Sequence, residues 1–283
     1  MLYVPGCNQK YLEKAKTLPA DSIILDLGDP ILIDLKEESR NNVAKMLKQN
    51  GYGKKEVVVR VNDLDSQWGE DDLKVIAPLK PDAILLPNIE SKEDVEIFIQ
   101  KIDQFGGSDI PVMVMIESPL AVLNVKEIAS ASERIICLVL ATSDLISQMY
   151  AQVTPSRIAL QTSLSIVILA ARAFGKSVVD GIHSNLTDIE SFEAACRMGR
   201  DMGFDGKSLV HPIQLPYAND AYTPKQKEIE LAKEIIQALA DANAVGRGTV
   251  VVKDRLVEHH HVTAAKRLLI QLEKINALEE SFK

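Results

Sequence analysis

Residues 83–118 read AILLPNIESKEDVEIFIQKIDQFGGSDIPVMVMIES. Ala83–Leu86 is a short apolar run that stops at Pro87-Asn88. Ser91 and Asp94 stand at capping-box spacing, where each side chain satisfies a backbone donor at a helix start. Val95, Phe98, Ile99 and Ile102 follow at helical spacing and give that helix one apolar face. Val112–Ile116 is a second apolar run, closed by Glu117-Ser118-Pro119. Runs this short, without polar alternation, are strands buried on both faces. Strand, amphipathic helix and strand make one unit of a parallel sheet.

The same unit recurs in both directions. Upstream lie the runs Leu2–Val4, Ile23–Leu27 and Val57–Val61; downstream lie Ile136–Ala141 and the weaker Val178–Val179 and Ser208–Val210. Helical stretches separate them: Leu12–Thr17, Lys36–Gln49, Ala121–Ala129, Arg157–Ala173, and Asp188–Met202 with Gly203 as its C-cap. Strand and helix thus alternate eight times between Leu2 and Val210. The class is α/β, and eight units suit a closed (β/α)8 TIM barrel; periodicity alone leaves an open doubly wound sheet standing. The tail reads differently. A helix over Pro224–Ala244 presents Ile229, Ala232, Ile235, Ile236 and Leu239. Then come a strand over Thr249–Val252, a turn at Lys253-Asp254, Leu256-Val257, and a helix over His261–Leu278. The expected division is a barrel over 1–245 and a C-terminal strand-turn-helix extension over 246–283. That extension is too small for its own core, so it is expected to pack on the barrel or on a neighbouring subunit.

The chain has 283 residues, 40 acidic against 32 basic, for a formal charge of −8. The acidic balance disfavours nucleic acid as the main partner, while a local basic cluster can still hold a small anion. No apolar run reaches the ~18 residues of a membrane span. The opening MLYVPGCNQK has no basic segment leading into a long apolar one, so no signal peptide is expected. Cys7, Cys137 and Cys196 are an odd number without metal or disulfide spacing. A cytoplasmic protein is the expectation.

In a parallel barrel the chemistry sits where strands end. Those ends carry Asp26-Leu27-Gly28-Asp29, Arg60-Val61-Asn62, Pro87-Asn88, Glu117-Ser118, Ser143-Asp144, Asp180-Gly181 and His211-Pro212. Glu117 and Asp144 close successive strands, and two carboxylates completed by water suit Mg²⁺; each also reads as an ordinary loop or cap carboxylate. Arg60, at the end of a buried strand, needs a partner: a substrate oxyanion, Asp26 or Asp29. His211 reads as a loop hydrogen-bonder or a base. His183 and the run His259–His261 show no zinc-motif spacing. The phosphate-loop and dinucleotide glycine motifs are absent.

Taken in order, these residues resemble the citrate lyase beta subunit and its relatives in the HpcH/HpaI aldolase superfamily. Leu2-Tyr3-Val4-Pro5-Gly6 is similar to that family's opening, and Leu25-Asp26-Leu27-Gly28-Asp29 to its LDLED. Val59-Arg60-Val61-Asn62 with Trp68-Gly69 matches VRVN…WG, and Leu86-Pro87-Asn88 resembles LPK. Glu117-Ser118 with Asn124 resembles IET…N. Ser143-Asp144-Leu145 resembles ED(L/F). Ala170-Ala171-Arg172, Asp180-Gly181, Gly203–Lys207 and His211–Gln214 resemble AAR…DG…GFDGK…HPxQ, and Thr223-Pro224 resembles FTP.

The resemblance implies a (β/α)8 barrel, Mg²⁺ and an acyl thioester carried on coenzyme A or an acyl carrier protein. It implies retro-aldol cleavage of a 3-hydroxyacyl thioester such as citryl-, malyl- or citramalyl-CoA. Glu117 and Asp144 fall on its metal-ligand positions. Arg60 falls on its substrate arginine and is expected to be catalytic as well; Glu117, Asp29 and Asn88 are the further candidate substrate-binding residues. Leu256-Val257-Glu258 falls on a tail motif that reaches a neighbouring subunit, so Glu258 is expected as an acid/base in trans, within a homo-oligomer, a trimer by family pattern. Three positions depart: Gly28 and Ser143 stand where the family has Glu, and Asn88 where it has Lys. Two other outcomes fit the same fold: a thioester hydrolase or malate-synthase-like enzyme, and a degenerate acyl-CoA-binding subunit of a larger lyase complex.

Overall fold

A computed structural model describes residues 1–282. The strands are β1 (Leu2–Pro5), β2 (Ser22–Asp26), β3 (Glu56–Arg60), β4 (Ala83–Leu86), β5 (Val112–Ile116), β6 (Ile135–Leu140), β7 (Ser177–Asp180) and β8 (Gly206–Lys207). Between and after them run α1 (Gln9–Ala15), α2 (Lys36–Gln49), α3 (Gly69–Ile76), α4 (Lys92–Gln104), α5 (Pro119–Leu123), α6 (Val125–Ser130), α7 (Thr142–Gln148), α8 (Gln161–Ala173), α9 (Ile189–Met202) and α10 (Leu215–Tyr222). The eight strands pair in chain order, all parallel. A parallel bridge from Leu2 to Leu209 joins the last strand to the first: Tyr3 N–H donates to the Leu209 carbonyl at 2.9 Å, and Leu209 N–H to that of Met1 at 2.8 Å. The sheet is therefore a closed (β/α)8 barrel, and the open alternative falls away.

Side-chain alternation explains why the strands read as unbroken apolar runs. Ile24, Val58, Leu85, Met113, Met115, Val139 and Val179 pack together as one cluster, inside the barrel. Their neighbours Ile23, Leu25, Val57, Val59, Ile84, Leu86, Val112 and Val114 pack in a second cluster with the helices. Each strand thus buries both faces. The expected caps are present: Ser91 and Asp94 make both bonds of their box, and Gly203 ends α9 at φ 106; Asp188, read as the first helical residue, instead caps α9 by accepting from Ser191 N–H.

Some boundaries moved for local reasons. The segment 121–129 is two short helices, because Ser118 caps α5 one turn earlier and Asn124 breaks the run. Residues Ile158–Leu160 form a 3-10 turn before α8, entered through Arg157 at φ 51. The eighth strand is Gly206–Lys207 rather than Ser208–Val210. Its paired residues are a glycine and a lysine, invisible to an apolar pattern, and the lysine is held by Asp180.

The chain divides after Tyr222, into Met1–Tyr222 and Thr223–Lys283, not at 245/246. The second unit holds α11 (Gln226–Ala244), β9 (Val250–Val252), β10 (Arg255–Val257) and α12 (His259–Glu279). Leu239 of α11 shares a small core with Val252 and Val257 of the hairpin, which ties that helix to the tail. Lys253 (φ 46) and Asp254 (φ 62) make the hairpin turn, the left-handed pair a two-residue turn requires. No helix among the described residues is long and apolar enough to cross a membrane.

Candidate active site

Arg60 ends β3 in register with Asp26 at the end of β2. Both share the parity of Val58 and Ile24, so both side chains enter the barrel mouth. Arg60 Nε donates to Asp26 Oδ1 at 2.7 Å and Nη2 to Oδ2 at 2.8 Å, a two-point fork between groups 8 % and 1 % exposed. Gly28 N–H adds a third bond to Asp26 at 2.9 Å. The Tyr3 ring lies 5.1 Å from the guanidinium carbon, and Nη1 is 3.9 Å from Met115 Sδ. Burial opposes the Arg60 charge, but Asp26 outweighs it and keeps the guanidinium protonated. Asp26 is therefore its partner, and Nη1 is the edge left toward the mouth. Asp29 stays exposed on the following loop.

Gly28 now has a physical reading. A Cβ there would stand 2.9 Å from Arg60 Nε and 3.0 Å from Cζ. Arg60 is pinned by Asp26, so it cannot yield without losing the fork. On the expectation that Arg60 acts on substrate, Gly28→Ala should lower kcat/KM by up to about 10²-fold, the cost of displacing such a group by about 1 Å. Steady-state kinetics checks this, and unchanged kcat/KM would refute it.

Glu117 follows β5 with the parity of Met113 and Met115, so it also enters the mouth. It is buried and accepts the Asn88 N–H at 2.5 Å. Asn88 adopts φ +52, tolerable for asparagine, and its amide donates to Asp63 at 2.8 Å. Asn88 thus serves Glu117 through its backbone, while its side chain is exposed. Burial raises the pKa of Glu117; the Asn88 bond opposes this, and repulsion from Asp144 adds to it. Asp144 lies exposed in the first turn of α7. Ser118, not Glu117, caps α5. One buried and one solvent-facing carboxylate, repelling each other, form an oxygen donor pair suited to a hard divalent cation that keeps its waters.

A cavity of about 230 Å³ opens at this rim. Tyr3, Asp26, Arg60 and Asp144 supply its polar groups; Pro5, Pro30, Met115, Leu140, Ile182 and Val210 supply apolar walls. The wall residues carried no chemical signal in the sequence.

Other rim groups are structural. Asp180 is fully buried and receives two bonds from Arg157 (2.8 and 2.6 Å) and one from Lys207 (2.7 Å). Burial alone would raise its pKa, yet Lys207 and Arg157 hold it below the ordinary value. Arg157 pins the loop after α7, a role nothing in its sequence neighbourhood announced. Lys36 is buried and donates to the Leu27 and Gly28 carbonyls and to Asn62 Oδ1, which shapes the β2 loop. His211 Nδ1 accepts from Ile213 N–H, the loop reading. Glu258 lies in the second unit, just before α12, with His260 and His261 beside it.

A family model described as HpcH/HpaI aldolase/citrate lyase matches residues 1–212. The chain belongs to that family. Within it, the chain is 41 % identical over 281 residues to a (3S)-malyl-CoA thioesterase of Cereibacter sphaeroides, covering 99 % of this chain and 96 % of the relative. It is 33 % identical over 287 residues to the citrate lyase subunit beta of Leuconostoc mesenteroides, covering 99 % and 95 %. Among solved structures, it is similar to a citrate lyase beta subunit of Mycobacterium tuberculosis complexed with oxaloacetate and magnesium. That likeness has a TM-score of 0.67 at 25 % identity and covers 79 % of this chain and 96 % of the other. As a member of this family, the protein is an enzyme.

Proposed function

We propose that this protein hydrolyses the thioester of a malyl-type 3-hydroxyacyl-CoA with the help of Mg²⁺. The observation that carries the reading is a rim cavity lined by the Arg60–Asp26 fork and by Asp144, which repels the buried Glu117. The 41 % identity to a malyl-CoA thioesterase supports hydrolysis as the outcome. Similarity to citrate lyase subunit beta supports a second reading, retro-aldol cleavage of the same class of substrate.

Glu117 and Asp144 would hold the ion. When bound, Mg²⁺ supplies Lewis acidity and a template for substrate oxygens. Arg60 Nη1 steadies negative oxygen charge, and Asp26 fixes the angle from which it does so. Asn88 N–H orients Glu117. The apolar walls exclude bulk water and strengthen each of these interactions. Glu258, supplied by a neighbouring copy, acts as the acid/base carboxylate: it activates water for hydrolysis, or takes the 3-hydroxyl proton for cleavage.

The test uses purified protein with (3S)-malyl-CoA, citramalyl-CoA and citryl-CoA, with Mg²⁺ or EDTA. Hydrolysis yields free CoA thiol and the hydroxy acid; retro-aldol cleavage yields an acyl-CoA and a 2-oxo acid. Mg²⁺-dependent free thiol without oxo acid is the expected result from malyl-CoA. Stoichiometric oxo acid would establish the second reading. Glu258→Gln should lower kcat by about 10²–10⁴-fold, the range for a lost acid/base; full turnover would remove it from the mechanism.

A further inference from the structure

We propose that Glu258, His260 and His261 form a transition-metal site in the second unit, distinct from the rim carboxylates. One donor atom from each lies within 4.8 Å of the other two. Glu258 Oε2 stands 3.6 Å from His260 Nδ1, and the two imidazole rings are 3.9 Å apart between centroids. Among the described residues, no other trio of His, Cys, Asp or Glu donors converges this closely.

Local structure produces the convergence. Glu258 is extended (φ −133, ψ 176) and precedes α12, while His260 and His261 occupy its first turn. Glu258 N–H donates to His261 Nδ1 at 3.1 Å, which draws that ring back over residue 258. His260 and Glu258 are 69 % and 48 % exposed, so neither must break a buried contact to ligate. His261 would exchange one hydrogen bond for a coordinate bond. A motif search misses the site, because zinc patterns rest on spacings of three or more residues, and these ligands are nearly contiguous.

The donor set selects the ion. Two imidazoles and one carboxylate suit Zn²⁺, Co²⁺ or Ni²⁺, and water completes the shell. Mg²⁺ prefers oxygen donors, so the rim and the tail would take different metals.

Isothermal titration of Zn²⁺ into the full chain, under saturating Mg²⁺, tests the site directly. One Zn²⁺ per chain is expected in the wild type, unchanged in Glu117→Ala and in His259→Ala. His260→Ala, which removes an exposed side chain without touching the helix cap, should weaken binding at least tenfold. Equal affinity in wild type and His260→Ala overturns the proposal. So does loss in Glu117→Ala, which would place the ion at the rim, or equal loss in His259→Ala, which would make it diffuse chelation by the histidine run. A last measurement rests on the proposed role of Glu258: Zn²⁺ should slow thioester turnover in the wild type and not in His260→Ala. Zinc binding without inhibition keeps the site and removes Glu258 from turnover.

Discussion

Replacing Arg60 with methionine should cost about 3–5 kcal/mol of stability, because it strands the Asp26 carboxylate, 1 % exposed, without its countercharge. Two of the three hydrogen bonds that the Asp26 carboxylate accepts come from Arg60. Burial would then push Asp26 toward its neutral form or open the mouth to water. The expected readout is a melting temperature roughly 10 °C lower, at about 2–4 °C per kcal/mol in a domain of this size. Turnover should fall with it. The double variant Arg60→Met, Asp26→Leu separates the two effects. It removes both charges, so it should recover most of the lost stability while remaining inactive. A single variant that melts with the wild type would show that the fork contributes little. A double variant that regains activity would show that Arg60 is only structural.

Glu117→Gln is expected to work the opposite way on stability while abolishing turnover. The glutamine still accepts the Asn88 N–H, but it ends the repulsion from Asp144 and the burial of charge. A carboxylate whose folded pKa lies above its ordinary 4.5 binds more protons folded than unfolded between those two values. Stability therefore falls as pH rises through that window, and the penalty stays in place above it. Metal-free Glu117→Gln should be the more stable protein at neutral pH, by roughly 2–4 °C if the penalty is about 1 kcal/mol. The gap should close below pH 4.5, where both forms are uncharged. On the proposed role of Glu117 as a ligand to Mg²⁺, its loss should lower kcat by about 10³-fold or more. A variant that melts below the wild type at neutral pH in EDTA would contradict the electrostatic account. Such a stability gain at the expense of function is the usual mark of a site that holds like charges together.

The rim was legible because strand ends announce themselves. Each apolar run stops at a polar residue, and in a parallel barrel all those stops share one end. Which of these residues face inward was shown by the structure, where Asp26, Arg60 and Glu117 share the parity of the inward Ile24, Val58 and Met115. Motif order along the chain located the family, and the match over residues 1–212 agrees with it. The partner of Arg60 was not decided by spacing, since Asp26 and Asp29 both stand at the end of the preceding strand. Gly28 read as a missing carboxylate, and only its 2.9 Å approach to Arg60 Nε gave it a reason.

By itself, the sequence determined the alternation of strand and helix and the set of charged groups at the strand ends. Those properties follow from periods of 2 and 3.6 residues, which are local. Tertiary structure alone decided that the sheet closes through Leu2 and Leu209, that α11 joins the tail after Tyr222, and that Asp26 takes Arg60. It also decided that Arg157 and Lys207 meet on Asp180, 23 and 27 residues away along the chain. Such pairings depend on distances between residues far apart in the chain, and no local period encodes them.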